Sequence, residues 1–148
     1  MSQPAGDAAI VRAMTTPEEI AATFPVMSQL RPHLAPADYV PTVQRMAAAG
    51  FRLAAVTVQG AVAAVAGYRL GESLSWGRYL YVDDLVSDAR SRSHGHGRLL
   101  LGWLAQQARA AGCAQLHLDS GVQRHGAHRF YLRERMDITA FHFALPLS

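Results

Sequence analysis

An aliphatic strand that runs through a glycine turn straight into an amphipathic helix constrains this chain most. The strand reads Tyr79-Leu80-Tyr81-Val82-Asp83-Asp84-Leu85-Val86, and the turn runs from Ser87 to Gly97. The helix that follows carries Leu99, Leu100, Trp103, Leu104 and Ala108 on one side, with Gly112 placed to close it. Gly95 and Gly97 have no Cβ, so a ligand can approach the backbone there and unusual φ values cost little. The first N–H groups of the helix lack internal partners, and the macrodipole adds positive potential. Such a turn suits an anion, phosphate above all. Arg90, Arg92 and Arg98 add positive charge.

Two common nucleotide loops do not match. A P-loop needs Gly-Lys-Ser/Thr, which occurs nowhere in the chain, and a dinucleotide fingerprint needs a third glycine where Leu100 stands. What remains is R-x-x-G-x-G, written here as Arg92-Ser93-His94-Gly95-His96-Gly97, after a strand ending in an aliphatic pair.

The rest of the chain supplies a regular alternation. Residues 8–14 read as a first strand, and Thr16-Pro17-Glu18-Glu19 opens a helix with a capping box. Ile20, Phe24, Met27 and Leu34 keep its apolar stripe, and Pro25 is expected to kink or split it. A second helix is expected from Asp38, with Pro41 in its first turn, with Tyr39, Val43 and Met46 inward and Gly50 at its end. Phe51–Val58 and Ala61–Leu70 are β-rich runs joined by a Gln59-Gly60 hairpin, and a loop with Gly71 and Gly77 leads into the strand above. Gln115–Asp119 reads as a strand, His125–Arg133 as a short helix and Ile138–Leu145 as a last strand. Interleaving of this kind makes a mixed α/β sheet. The chain, at 148 residues, is expected to form one domain over 1–148.

The order β-α-α-β-β-β-α-β-α-β and the glycine loop together resemble the GNAT superfamily of acyl-CoA-dependent N-acetyltransferases. The likeness spans nearly the whole chain. A second segment, Ala127-His128-Arg129-Phe130-Tyr131, is similar to the family's A-x-x-[apolar]-Y. The resemblance implies acetyl-CoA as acyl donor, without a metal, and a small-molecule or peptide amine as acceptor. It implies that Arg92, Ser93, His94, Gly95, His96, Gly97 and Arg98 hold the pyrophosphate. It further implies that Leu85, Val86 and Ser87 pair with the pantetheine arm, the Val86 N–H polarising the thioester carbonyl. Tyr131 is the implied general acid, protonated at neutral pH with its ordinary pKa of about 10. Homodimerisation is common in the family.

The base is sought on the same strand. Asp83 is preferred because its place resembles the family's frequent acidic position, with Asp84 the alternative. Neighbouring strand residues point to opposite faces, so the two are not expected to form a carboxylate dyad. Tyr79 and Tyr81 share the parity of Asp83 and are expected either to line an acceptor pocket or to pack on the sheet. Departures from the family pattern fall at Arg124, where asparagine is frequent, and at Arg135, where glycine is. Ala89 replaces the usual proline and Ser87 an aliphatic residue. Arg124 is assigned to a phosphate or an acidic acceptor. An arginine in a left-handed cap costs about 1–2 kcal/mol, so the last helix is expected to end without one. A non-catalytic acyl-CoA-binding or regulatory module with the same fold is the alternative reading.

Other classes find less support. The net charge of +3 favours anionic ligands mildly. Arg124, His125, His128, Arg129, Arg133 and Arg135 form a basic cluster, but without interleaved aromatics nucleic acid is disfavoured. The pairs His94/His96 and His125/His128 lack an evident third ligand, so no metal is expected. Cys113 is the single cysteine and cannot form an internal disulfide, which points to the cytoplasm. Its place beside a helix end suggests packing rather than nucleophilic chemistry. No secretory leader is read in the opening residues, and the longest uncharged stretch, Leu53 to Tyr68, is broken by Gln59-Gly60 and too short for a membrane span. Leu99, Trp103 and Leu104 are read as core.

Overall fold

The computed structural model describes residues 8–148. Of the opening residues read for a leader, 1–14, the first seven lie outside the described residues. The chain divides into two compact units, one up to His117 and one from Leu118.

In the first unit β1 (Ala9–Ala13) leads into α1 (Pro17–Leu30) and α2 (Pro36–Ala48). The strands β2 (Arg52–Val58), β3 (Ala61–Ser73) and β4 (Gly77–Ser87) follow, then α3 (His96–Ala110) and β5 (Gln115–Leu118). The sheet order is β1-β2-β3-β4-β5, antiparallel from β1 through β4. Ala114 N–H donates to Arg78 O at 2.8 Å, joining the start of β5 to the start of β4. The α/β mixed sheet expected from the sequence is therefore present.

Local chemistry explains most of these elements. Thr16 Oγ1 accepts from Glu19 N–H at 3.1 Å, and the Glu19 carboxylate accepts from Thr16 N–H at 3.0 Å. This reciprocal cap pulls the Glu19 carboxyl down to about 2, chiefly through the backbone N–H groups of Thr16 and Thr15. At the β2–β3 hairpin both Gln59 and Gly60 have positive φ, as a type I′ turn requires. Phe51, Leu53, Ala55, Val65 and Val86 form the sheet side of a core covered by Ile20, Val26, Met27, Tyr39 and Val43. Thr23 and Tyr39 share a buried hydroxyl contact of 2.7 Å that ties α1 to α2. Leu80, Leu100 and Leu104 are fully buried.

Several expectations are corrected. Helix α1 runs unbroken through Pro25; the one lost backbone bond is offset by its buried face of Ile20, Thr23, Val26 and Met27. Leu34 lies past its end. Helix α2 starts at Pro36 rather than Asp38, using a proline at its first position and leaving Pro41 in its interior. Gly71 belongs to β3, not to a loop, and the Tyr79 ring of β4 fills the space a Cβ would take. Leu99 is exposed rather than core, because the helix turns it away from the buried Leu100 and Leu104.

In the second unit α4 (His125–Arg133) has the expected bounds. Its C-terminus corrects the expectation about Arg135, which does adopt the left-handed conformation, φ 69°. Arg135 N–H donates to Leu132 O and Met136 N–H to Tyr131 O, both at 3.0 Å, the paired bonds of a Schellman cap. Those bonds satisfy the end of the helix and offset the backbone strain. The expected strand Ile138–Leu145 is not formed, since no strand is present after Arg133. Ile138, Phe141, Phe143, Leu145 and Leu147 are all exposed. No helix of the described residues is long and apolar enough to cross a membrane.

Candidate active site

The glycine turn is held from below by Asp88. Its carboxylate is buried, caps the 3-10 turn Ala89–Ser91 through Arg90 N–H (3.1 Å), and pairs with the Arg90 guanidinium at 2.8 Å. Those hydrogen bonds hold its carboxyl well below the usual carboxylate range. Gln29 of α1 clamps the same point, donating to Asp88 Oδ1 at 3.2 Å and accepting from Ala89 N–H at 2.9 Å. Arg90, expected to add free positive charge, is therefore neutralised locally. Asp88 and Gln29 were not among the expected site residues. The spacing Asp88-Ala89-Arg90 was a legible turn signal, since an aspartate readily accepts from the N–H two residues on; nothing in the sequence marked Gln29.

Past the turn, Ser93 and Gly95 both have left-handed backbones, φ 75° and 80°. Gly95 is the residue before α3, so the helix N-terminus opens directly onto the turn, and nothing lies within 4 Å of where its Cβ would be. Gly97 is in the first turn, with Arg98 beside it, and Arg92 and His94 are exposed. The rings of His94 and His96 meet edge to face at 5.8 Å. A pocket of about 670 Å³ is lined by Asp88, Ser91, His94, Gly95 and His96. Two buried polar atoms there, Ser91 Oγ and His96 Nδ1, have no hydrogen-bond partner. Unpartnered polar atoms beside a helix N-terminus fit a phosphate-bearing ligand.

The end of β4 carries the acidic pair. Gly67 of β3 faces Asp84 and Tyr68 faces Val82, so Asp83 is the extra residue of a β-bulge. That overturns the expected opposite orientation of the two carboxylates. Asp84 Oδ1 accepts from Arg31 Nε at 2.9 Å, and Arg31 also donates to Asp83 O at 3.1 Å. Asp83 Oδ2 accepts from Arg69 Nε at 2.8 Å, and the Arg69 guanidinium stands 5.3 Å from the Phe51 ring centre. The result is one cluster of two aspartates and two arginines on the side covered by α1 and α2.

Only one of the two carboxylates lines the neighbouring pocket. This cavity of about 390 Å³ is bordered by Met27, Arg31, Tyr39, Val43, Phe51 and Asp84, with His33 and Asp38 among its other walls. Burial pushes the Asp84 carboxyl up, the hydrogen bond and charge of Arg31 pull it back, and the charge of Asp83 adds to the rise. Beyond the bulge, Leu85 and Val86 are buried and Ser87 half-buried; Val86 faces Val65 of β3. Tyr79 packs edge to face on Trp76 at 5.3 Å, and Trp76 stacks on His117 at 3.5 Å, so the packing alternative holds for Tyr79.

In the second unit Tyr131 is half-buried in α4, its ring 5.4 Å from that of Phe130. Burial pushes its hydroxyl above the ordinary tyrosine value, while Arg124, the residue before the helix, pulls it down. His128 Nε2 lies 2.7 Å from Gly121 O. No cluster of three potential metal ligands occurs among the described residues.

Comparison with known proteins bears on the family and the fold. The profile of the acetyltransferase (GNAT) family matches residues 18–136. The chain is 37% identical over 125 residues to the uncharacterized N-acetyltransferase YhdJ of Bacillus subtilis (strain 168), covering 82% of this chain and 86% of that protein. A shorter match, 36% over 66 residues, covers 45% of this chain and 43% of the aminoalkylphosphonate N-acetyltransferase of Salmonella typhimurium. A putative acetyltransferase from Agrobacterium tumefaciens str. C58 shares the fold with a TM-score of 0.80 at 20% identity, over 93% of this chain and 99% of that one.

Proposed function

Because the chain belongs to the acetyltransferase (GNAT) family and is an acyltransferase, we propose that it moves an acetyl group from acetyl-CoA to the primary amine of a small molecule or peptide. This reading sets aside the non-catalytic module. The observation that carries it is Asp84: a half-buried carboxylate, its carboxyl pushed up by burial, on the wall of an apolar pocket of about 390 Å³. A carboxyl raised toward neutrality is a better base for an ammonium proton than one at the ordinary aspartate value.

Bound acetyl-CoA supplies the thioester, whose carbonyl carbon forms the new C–N bond as its C–S bond breaks. The turn from Arg92 to Arg98 holds the pyrophosphate through backbone N–H groups, with Ser91 Oγ and His96 Nδ1 as further polar partners. Leu85 to Ser87 align the pantetheine arm. Val86 is a hydrogen-bonded partner of Val65, so the role expected of its N–H passes to an N–H that points away from β3, that of Leu85 or Ser87, which stabilises negative charge on the carbonyl oxygen. Asp84 takes the proton of the acceptor amine, directly or through water, and Tyr131 Oη gives one to the departing sulfur. Arg124 meets a phosphate or an acidic part of the acceptor. The role preferred for Asp83 thus moves to Asp84, because both carboxylates are paired with an arginine but only Asp84 borders the cavity.

The pocket also narrows the acceptor. Its charged walls, Arg31 against Asp38 and Asp84, leave no spare positive charge, since Arg31 is already bonded to Asp84. We therefore expect an amine on an uncharged, largely apolar body rather than an aminoalkylphosphonate. The proposal covers one catalytic domain over residues 1–148, a cytoplasmic setting inferred from the unpaired Cys113, and a homodimer. Five large apolar side chains exposed after α4 support the homodimer.

A melting-point titration tests the donor site. Acetyl-CoA at about 100-fold over its Kd adds about 2.7 kcal/mol and raises Tm by several degrees, with ATP and NAD as controls. Gly95→Glu should abolish the shift, and a shift retained in that variant would remove the turn from the site.

A further inference from the structure

The end of α1 grips the chain on both sides of the stretch assigned to the pantetheine arm. Arg31, which caps the helix C-terminus, donates to Asp84 Oδ1 at 2.9 Å and to Asp83 O at 3.1 Å. Gln29, two residues earlier, donates to Asp88 Oδ1 at 3.2 Å and accepts from Ala89 N–H at 2.9 Å. Leu85, Val86 and Ser87 lie between those two points. Within the turn, the amides of Arg90 and Ser91 find their acceptors in Asp88, in Oδ1 at 3.1 Å and in the carbonyl at 3.0 Å. The amide of Ala89 finds its acceptor in Gln29 instead. From the sheet, the turn is held where Ala63 O of β3 accepts from Asp88 N–H at 2.8 Å. One such bond is a pivot, and a second anchor from another layer removes the rotation about it. Arg90 also pairs with Asp88, but it belongs to the turn, so it stiffens the turn without locating it.

We propose that Gln29 is a positioning residue of the donor site, holding the glycine turn at the distance and angle from the end of β4 that a bound CoA spans. The inference rests on the donor site proposed above and adds the residue that sets its geometry. CoA joins its pyrophosphate to its sulfur through a covalent arm, so the turn and the strand end must meet the ligand together. A site already held in that arrangement binds more tightly, because the ordering is complete before the ligand arrives. Gln29 touches neither the ligand nor the reacting atoms; it acts through Asp88 and Ala89.

Calorimetric titration with CoA separates positioning from support of the fold. The unaltered protein should bind CoA. Gln29→Met keeps the length of the side chain, removes both hydrogen bonds and should bind CoA about tenfold more weakly. Ser28→Ala removes a hydroxyl bonded to Pro25 O within the same helix and should bind as the unaltered protein does. An unaltered protein that does not bind CoA overturns the donor site together with this role. Equal affinity in the unaltered protein and Gln29→Met, whatever their melting points, overturns the role alone. An equal loss in Ser28→Ala would assign the effect to the helix as a whole and overturn the role as well. Should Gln29→Met fail to fold, hydrogen exchange on the unaltered protein gives the answer. Linkage is reciprocal, so saturating CoA should slow exchange of the Ala89 amide by the same factor of about ten. An Ala89 amide that exchanges at one rate with and without CoA overturns the role.

Discussion

Gly67 faces Asp84 across the β3–β4 ladder, and a Cβ on Gly67 would come within 2.7 Å of Asp84 Oδ2 and 2.4 Å of the Phe51 ring. Glycine here is a matter of space, not of backbone freedom. The pocket wall depends on that missing methyl group.

Gly67→Ala should therefore lower stability by about 1–3 kcal/mol through overpacking. Asp84 or Phe51 must shift, so kcat/KM should fall as well. Thermal melts and steady-state kinetics check this, and an alanine variant with unchanged Tm and turnover would contradict the close approach.

Asp84→Asn should reduce kcat by about 10²–10⁴-fold, the usual contribution of general base catalysis. Asp83→Asn should cost far less. Because burial raises the Asp84 carboxyl, the active, deprotonated form is lost as pH falls through that raised value. The acid limb of kcat should then lie above the ordinary aspartate range and vanish in Asp84→Asn. Equal losses from the two substitutions would argue for a shared electrostatic role instead.

Tyr131→Phe should cut kcat by a similar factor while leaving acetyl-CoA affinity unchanged. The hydroxyl is pushed above its ordinary value, so it stays protonated, and competent as an acid, throughout the neutral range. Turnover at the unaltered rate would remove it from the mechanism.

The folding pattern was legible where local chemistry acts alone. The Thr16/Glu19 box, the Gln59-Gly60 turn and the bounds of α4 all follow from neighbouring residues, and all are present. The acidic pair was visible in Asp83-Asp84, but its geometry was not, because a bulge depends on the partner strand and leaves no mark in one sequence. The arginines of the cluster, Arg31 and Arg69, come from distant elements and had no signal of their own. The last strand was misread for a related reason, since periodicity reports a face without saying what covers it.

Arg135→Gly should stabilise the protein. Its left-handed backbone costs about 1–2 kcal/mol relative to glycine, partly offset by the greater freedom of glycine in the unfolded chain. A net gain of about 1 kcal/mol should raise Tm by about 2–4 °C. A lower Tm would mean that the arginine side chain contributes more than its backbone costs.

Acid should weaken the α1 cap in a defined window. Glu19 titrates near 2 when folded against an ordinary value of 4.5. A depressed carboxyl contributes stability that is complete above 4.5 and lost as pH falls toward 2. The Tm difference between the unaltered protein and Glu19→Gln should hold from neutrality to about pH 5 and shrink below 4.5. A difference that persists undiminished at pH 2 would assign the effect to packing.

The bulge at Asp83 is a single inserted residue in a ladder that is otherwise continuous from Gly77 to Ser87. Deleting that one residue would leave every other β3–β4 pair with its present partner. The same deletion would remove a carboxylate and free Arg69. One codon therefore separates a plain antiparallel ribbon from one that gathers two acids, so the acidic pair can be gained or lost without redesigning the core.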